Sequence, residues 1–509
     1  MAKKHIIFLI IFLLLFSSMI LYLRASETTD WDSSQALISG KIFQDYIVSG
    51  FPNWDEFIKD YDKHLTGASW YSTIDSPAYP IIQAISFMIF GLSFFAAKLT
   101  NIILIFIGSF FLFFLAKAIL KSSKSALFTV ILFLLIPITI ELSGVAIVDI
   151  PVGLLMCAWF WITFYREKGK QFKIKIGEKE LIINLNWIFG AIFLSLAVLI
   201  RYQNIGFVIG FYILYLAYLL FKNKEKGQEI LVIGIVQGII FTLITGYFFY
   251  WLFFKSTIID RILYEGTGRE ITNYLFYLKA IFPRTLFVVS FAFVPLFFKK
   301  GRNFFKQNVP LLLMILSIFI LSSLFISNQQ LRYCIFCVPL LIIIAIKGIE
   351  LLRYKTIITL ILSAILIFSG ISWINSRQEV IGFQDYELIE FMKDLPLPRL
   401  LIYMHSPKSV DPTGYYPSPD NFLFSTMLSY DESSPSKSMQ YSQYVYWRQI
   451  QQDYESFLKQ VDEISTQLPT FIIAFRYSLD IIIINEGLEE HDWTSQELSW
   501  YKIYRRELK

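Results

Sequence analysis

Apolar stretches long enough to cross a bilayer recur eleven times before residue 375, and no water-soluble fold accommodates that pattern. They run over residues 6–23, 96–116, 126–146, 151–165, 185–200, 205–221, 230–253, 285–298, 309–326, 333–346 and 357–374. Composition agrees: the 509 residues are 55% hydrophobic and 17% charged, with 50 Phe, too apolar for an ordinary solvated surface. The expectation is an α-helical polytopic membrane protein with about eleven transmembrane helices. The first stretch follows Lys3 and Lys4, is long for a signal-peptide core, and lacks a small-residue cleavage site. It reads as an uncleaved first helix with its N-terminus in the cytoplasm.

Charge sets the topology. Basic connections carry Lys117, Lys121 and Lys124; Arg166 through Lys179; Lys222, Lys224 and Lys226; Lys299, Lys300, Arg302 and Lys306; and Lys347, Arg353 and Lys355. All five share a side with Lys3 and Lys4 only if a further apolar stretch, residues 77–91, does not cross the membrane. That side is the cytoplasm by the positive-inside rule, so residues 77–91 read as a re-entrant or surface-lying juxtamembrane helix within the first outer loop, residues 24–95. Residues 1–376 then form a membrane domain. Residues 377–509, where apolar runs shorten and Pro, Ser and Asp intervene, form a small extracytoplasmic α/β domain, with strands expected at 399–403 and 480–484 and a helix at 453–467. The net charge of +5 is confined to loops, so no nucleic-acid partner is expected. Cys157, Cys334 and Cys337 lie in apolar surroundings and imply no disulfide framework; the Cys334-x-x-Cys337 pair reads as core packing.

The outward loops collect an unusual polar set. Asp30 and Asp32 follow the first helix in Thr28-Thr29-Asp30-Trp31-Asp32-Ser33, and Asp75-Ser76-Pro77-Ala78-Tyr79-Pro80 precedes the surface helix. Asp149-Ile150-Pro151, Arg201-Tyr202 and Arg332-Tyr333 lie at outer helix ends. Each has an ordinary alternative: Asp30, Asp32 or Asp149 as a helix cap, and Arg201 or Arg332 snorkelling to the interface. As a set, carboxylates and guanidiniums gather on the face where basic residues normally do not accumulate, and ionisable groups at such depth mark functional sites.

The order of these motifs resembles the C-type glycosyltransferases. Within them the chain is most similar to the protein O-mannosyltransferase and aminoarabinose-transferase group of polyprenyl-phosphate-sugar enzymes. The matching stretches are Trp31-Asp32-Ser33-Ser34-Gln35-Ala36-Leu37, Asp75 to Pro80 leading to Phe90-Gly91, Asp149-Ile150-Pro151, Ala197 to Tyr202, and Arg332-Tyr333, over roughly the first 350 residues. There is one departure: Asp75-Ser76-Pro77 stands where many members carry Lys or His before a Pro-Pro pair. The Trp-Trp-Asp-Tyr-Gly signature of oligosaccharyltransferases is absent, which argues against en bloc transfer of an oligosaccharide to Asn.

The resemblance implies an inverting transfer of a sugar from polyprenyl phosphate to an acceptor hydroxyl, on a glycan, lipid or protein, at the outer face of the cell membrane. It places Asp32 as general base with Asp30 as the fallback, Arg332 and Arg201 on the donor phosphate, Asp149 orienting an arginine or binding acceptor, and Tyr79, Tyr202 and Tyr333 against substrate. Residues 255–284, containing Gly266-Thr267-Gly268-Arg269-Glu270, read either as a lid that excludes water or as an ordinary surface loop. No cofactor is expected: the donor is a lipid-linked sugar, no Gly-rich nucleotide fingerprint follows a strand, and His64, His405 and His491 are isolated, although a divalent metal requirement stays open. A polytopic transporter or lipid-linked-glycan flippase is the alternative from another class.

Overall fold

The structure is a computed structural model and describes residues 2–24, 31–53, 56–57, 77–144, 148–167, 169–176, 179–202, 204–254, 281–283, 285, 287–325, 335–378, 400–405, 445–449, 470–476, 494–497 and 501–507. The chain divides into two compact units: Met1–Leu23, Asp75–Tyr79 and Lys98–Ile374 form one, and Arg24–Ile74, Pro80–Ala97 and Asn375–Lys509 the other.

The N-terminal part runs through α1 (Ala2–Arg24), α2 (Trp31–Val48), α3 (Ala78–Phe90) and α4 (Phe94–Leu120). Helix α2 corrects the expectation of a polar loop between residues 24 and 76. Its polar look comes from residues that pair within the helix: Lys41 and Asp45, one turn apart, are both buried and joined at 2.8 Å. Helix α3 lies where a helix was expected at residues 77–91. Gly91, at φ +80, ends it in a conformation that a side chain would strain. Ile81, Ile85, Met88, Ile89 and Phe90 of α3 are exposed.

The next expected span, residues 126–146, is two helices. Ser122 caps α5 (Ser123–Leu135) by accepting from the Ser125 N–H at 3.2 Å, and Pro137, which cannot donate to the preceding turn, breaks the helix and begins α6 (Pro137–Gly144). Helix α7 (Asp149–Phe160) closes with a π-helical turn at Trp161–Tyr165. The basic connection that follows is a hairpin, β1 (Gln171–Ile176) antiparallel to β2 (Lys179–Asn184), which the sequence reading did not foresee. Asn184 then caps α8 (Leu185–Ile200) through the Asn186 N–H at 2.9 Å, and α9 (Asn204–Lys222) and α10 (Lys224–Phe254) follow.

Residues 285–298 depart further from a single span. They contain a 3₁₀ segment at Val288–Phe293 and the short α11 (Val294–Phe297), before α12 (Lys299–Gln307), α13 (Val309–Phe325), α14 (Val338–Leu351) and α15 (Lys355–Gln378). Among the described residues, four helices are individually long and apolar enough to cross a membrane, or five if α12 and α13, bent by 78°, count as one. The expected eleven stretches therefore do not each correspond to one uninterrupted spanning helix. Proline and non-α turns cut several of them short.

Around α7 the interior is aromatic. Trp159 meets the Phe211 ring edge-on with centroids 5.9 Å apart, and Phe164 lies 5.3 Å from the same ring. One polar residue is embedded among them. Gln237 of α10 accepts from Trp159 Nε1 at 3.1 Å and from the Tyr212 hydroxyl at 2.7 Å, and donates to Thr163 Oγ1 at 2.9 Å and the Trp187 carbonyl at 3.2 Å. Its amide uses both faces fully, so no polar group of that side chain is left bare in a nonpolar surround.

The C-terminal part contains a five-stranded mixed sheet in the order β4-β3-β5-β7-β6, from β3 (Leu400–His405), β4 (Val445–Gln449), β5 (Thr470–Arg476), β6 (Thr494–Glu497) and β7 (Tyr501–Glu507). Strand β3 lies where a strand was expected and pairs in parallel with β4 and β5. Strand β5 was not anticipated, although Thr470-Phe471-Ile472-Ile473 is rich in β-formers. The strand expected at 480–484 and the helix expected at 453–467 lie outside the described residues.

Candidate active site

Two of the expected residues meet where α7 begins and α8 ends. Asp149 is the first residue of α7, and its N-cap, Val148, makes no side-chain cap. Arg201 terminates α8: its N–H closes onto the Ala197 carbonyl at 3.0 Å while its φ of −152° and ψ of 101° turn the chain out of the helix. Asn204 secures that turn by donating through Nδ2 to the carbonyls of Ala197, at 3.1 Å, and Arg201, at 2.8 Å. The guanidinium is thereby directed inward, where Nη1 pairs with Asp149 Oδ1.

The pair is withdrawn from solvent, with side-chain exposures of 1% for Asp149 and 12% for Arg201. The Arg201 guanidinium carbon also stands 5.9 Å from the centre of the Phe336 ring, a cation–π distance. Neither ordinary alternative describes these residues: the carboxylate is spent on an ion pair, and the arginine turns toward it rather than toward water. Asp149 Oδ2 has no hydrogen-bond partner among the described residues, so the pair presents one acceptor not yet used. Two charges at such depth are tolerated because they neutralise each other.

The other expected residues are placed less fully. Asp32 is the second residue of α2, and the structure describes its backbone only; Asp30 lies outside the described residues, as do Asp75, Arg332, Tyr333 and the Gly266 to Glu270 segment. Tyr79 is on α3 and almost fully buried, at 1%. Tyr202 packs with Leu199 and Phe249 around Phe248. Of the set, the structure brings Asp149 and Arg201 together.

Several polar residues of the same unit escaped the sequence reading. Lys98, one turn into α4, is only 2% exposed, and Asn101 on the next turn is fully buried and donates through Nδ2 to the Ser143 carbonyl at 3.4 Å. Thr139 and Ser143, one turn apart on α6, are also fully buried, and neither hydroxyl has a hydrogen-bond partner among the described residues. A signal existed for Lys98: it is a lone cation interrupting an apolar run, Phe94-Phe95-Ala96-Ala97-Lys98, at the end of the helix opposite the basic connection. Among the described residues, no three His, Cys, Asp or Glu gather in a way that would hold a metal ion.

Neither a protein-family model nor a curated protein sequence matches the chain. Solved structures do. The crystal structure of ArnT from Cupriavidus metallidurans in the apo state superposes with a TM-score of 0.61 at 11% identity, covering 99% of this chain and 98% of that one. This chain has the ArnT fold. ArnT from the same organism bound to undecaprenyl phosphate superposes equally, with a TM-score of 0.62 at 10% identity over the same shares of both chains. The likeness to ArnT extends into the C-terminal region, beyond the 350 residues over which motif order carried the resemblance.

Proposed function

We propose that the chain is an inverting glycosyltransferase that moves a sugar from a polyprenyl phosphate to an acceptor hydroxyl at the outer face of the membrane. The observation that carries this reading is the end-to-end likeness to ArnT, an aminoarabinose transferase crystallised with undecaprenyl phosphate, together with the ion pair of Asp149 and Arg201 at the outer helix ends expected to carry the site. In this reading Asp32 takes the acceptor proton as the acceptor oxygen attacks the anomeric carbon. The bond from that carbon to the phosphate oxygen breaks on the opposite side, and polyprenyl phosphate departs with the added negative charge.

Arginine suits that leaving group because its planar fork holds two phosphate oxygens at once. Arg201 already gives Nη1 to Asp149, so we assign Asp149 the task of holding the guanidinium in place, with Arg332 as the principal phosphate partner. Cations aimed at a charge that grows during bond cleavage stabilise the transition state more than the bound donor. The membrane location, the outward face and the choice of polyprenyl phosphate as partner belong to the same proposal.

A second reading draws on the break between α5 and α6 at Ile136, since interrupted helices also line the sites of transporters and flippases. Incubation of the purified protein with polyprenyl-phosphate sugars and candidate acceptors separates the two. Mass spectrometry detects a glycosylated acceptor and free polyprenyl phosphate if the chain is a transferase. Intact donor with movement of the lipid between vesicle leaflets supports the flippase instead.

A further inference from the structure

The short helix α12, Lys299-Lys300-Gly301-Arg302-Asn303-Phe304-Phe305-Lys306-Gln307, carries no part of the proposed chemistry and has two sharply different faces. Gly301 and Phe304 are buried, while Lys299, Lys300, Arg302 and Lys306 are all exposed. Lys299, Arg302 and Lys306 follow one another at three- and four-residue steps, so they form a single cationic stripe opposite the buried residues. No acidic residue occurs in the helix to neutralise them.

The helix is fixed against the protein rather than trailing from it. A Cβ on Gly301 would overlap the Pro295 carbonyl, so the backbones of α11 and α12 touch at a distance that only glycine permits. Phe304 is further covered by the Lys347 ammonium, 5.9 Å from its ring centre, and Lys347 is held in turn by Glu350 at 3.0 Å. The helix turns by 78° into α13, so if the apolar α13 crosses the bilayer, α12 runs close to the membrane plane. Phe297 and Phe298, directly before it, are 80% and 39% exposed, and large rings beside paired lysines are the composition of a segment seated at the boundary between headgroups and acyl chains.

We propose that α12 is a docking surface for the headgroups of anionic phospholipids. The Lys299, Arg302 and Lys306 stripe meets the phosphates while Phe297 and Phe298 enter the acyl region. This inference stands independently of the reaction proposed above.

The test titrates the full-length protein in neutral detergent with phosphatidylglycerol and separately with phosphatidylcholine, reading retained lipid by native mass spectrometry. Each surface cation contributes about fivefold to anionic-lipid affinity, so K299Q/R302Q/K306Q should weaken phosphatidylglycerol binding by about 100-fold and leave phosphatidylcholine unchanged. K121Q/K222Q/K226Q removes the same charge from cations spread over two other connections and should weaken binding clearly less than K299Q/R302Q/K306Q. With the unaltered protein, raising salt to about 1 M, where charges are screened within about 3 Å, should release the bound phosphatidylglycerol. Undiminished binding by K299Q/R302Q/K306Q, an equal loss in the control variant, or displacement by millimolar inorganic phosphate alone would overturn the proposal.

Discussion

Arg201 and Asp149 join the last turn of α8 to the first turn of α7 through an ion pair almost closed to solvent. Removing one partner of such a pair strands the other charge and costs about 3–5 kcal/mol, whereas replacing both with apolar groups of similar volume is often close to neutral. Asp149→Ala should therefore destabilise the protein by that order, and D149L/R201M should recover most of the loss in a denaturant series. A loss in the double variant equal to the sum of the two single-variant losses would mean that the pair is not energetically coupled.

Catalysis distinguishes the acids from the guanidiniums. Asp32→Asn keeps size and loses basicity, and a positioned general base contributes about 10²- to 10⁴-fold, so turnover should fall by that order with donor affinity nearly unchanged. Arg332→Ala should weaken donor binding as well as turnover, because a phosphate partner is engaged before and during bond cleavage. Single-turnover kinetics with a separate donor-binding measurement reads both. If Asp32→Asn is silent and Asp30→Asn abolishes transfer, the base lies two residues earlier; if both are silent, the mechanism is wrong.

Two helical glycines should respond in opposite directions to the same substitution. A Cβ on Gly348 of α14 would overlap the Phe291 carbonyl, whereas one on Gly238 of α10 meets nothing within 4 Å. Gly348→Ala should lower the melting temperature and yield of the protein. Gly238→Ala should be neutral or stabilising by about 0.4–1 kcal/mol, because alanine reduces the freedom of the unfolded chain. A thermal melt of both variants in one detergent checks the sign of each.

Orientation follows from the basic connections. In a background with the native cysteines replaced, Ser434→Cys should react with an impermeant thiol reagent added to intact cells, and Lys170→Cys, on the hairpin side, should react only after the membrane is opened. The reverse pattern would place the proposed site in the cytoplasm and remove its access to an externally presented donor.

The sequence disclosed class and order better than element length. Apolar runs located α1, α4, α8, α9, α10, α13 and α15 closely, because these helices lack internal breaks. It concealed α2, where Lys41 and Asp45 satisfy each other and make a packed helix look like a solvated loop. At the site, Asp149 and Arg201 could be nominated from their positions at outer helix ends, but their pairing could not, since 51 intervening residues separate them and only the packing of α7 on α8 closes that gap. Thr139 and Ser143 were lost in apolar surroundings because an isolated polar residue has no periodicity to reveal it.

Gln237 has one consequence that its apolar neighbours cannot supply. Greasy helices slide past one another at small cost, because lipid and leucine offer nearly the same surroundings. Displacing α10 by a single residue would bring Val236 or Gly238 to the position of Gln237 and deprive the Trp159 indole, the Tyr212 hydroxyl, Thr163 and the Trp187 carbonyl of a common partner in one step. One amide thus acts as a detent. It tells the correct alignment of α7, α8, α9 and α10 from its nearest mistakes, deep in a bundle whose oily surfaces would tolerate several.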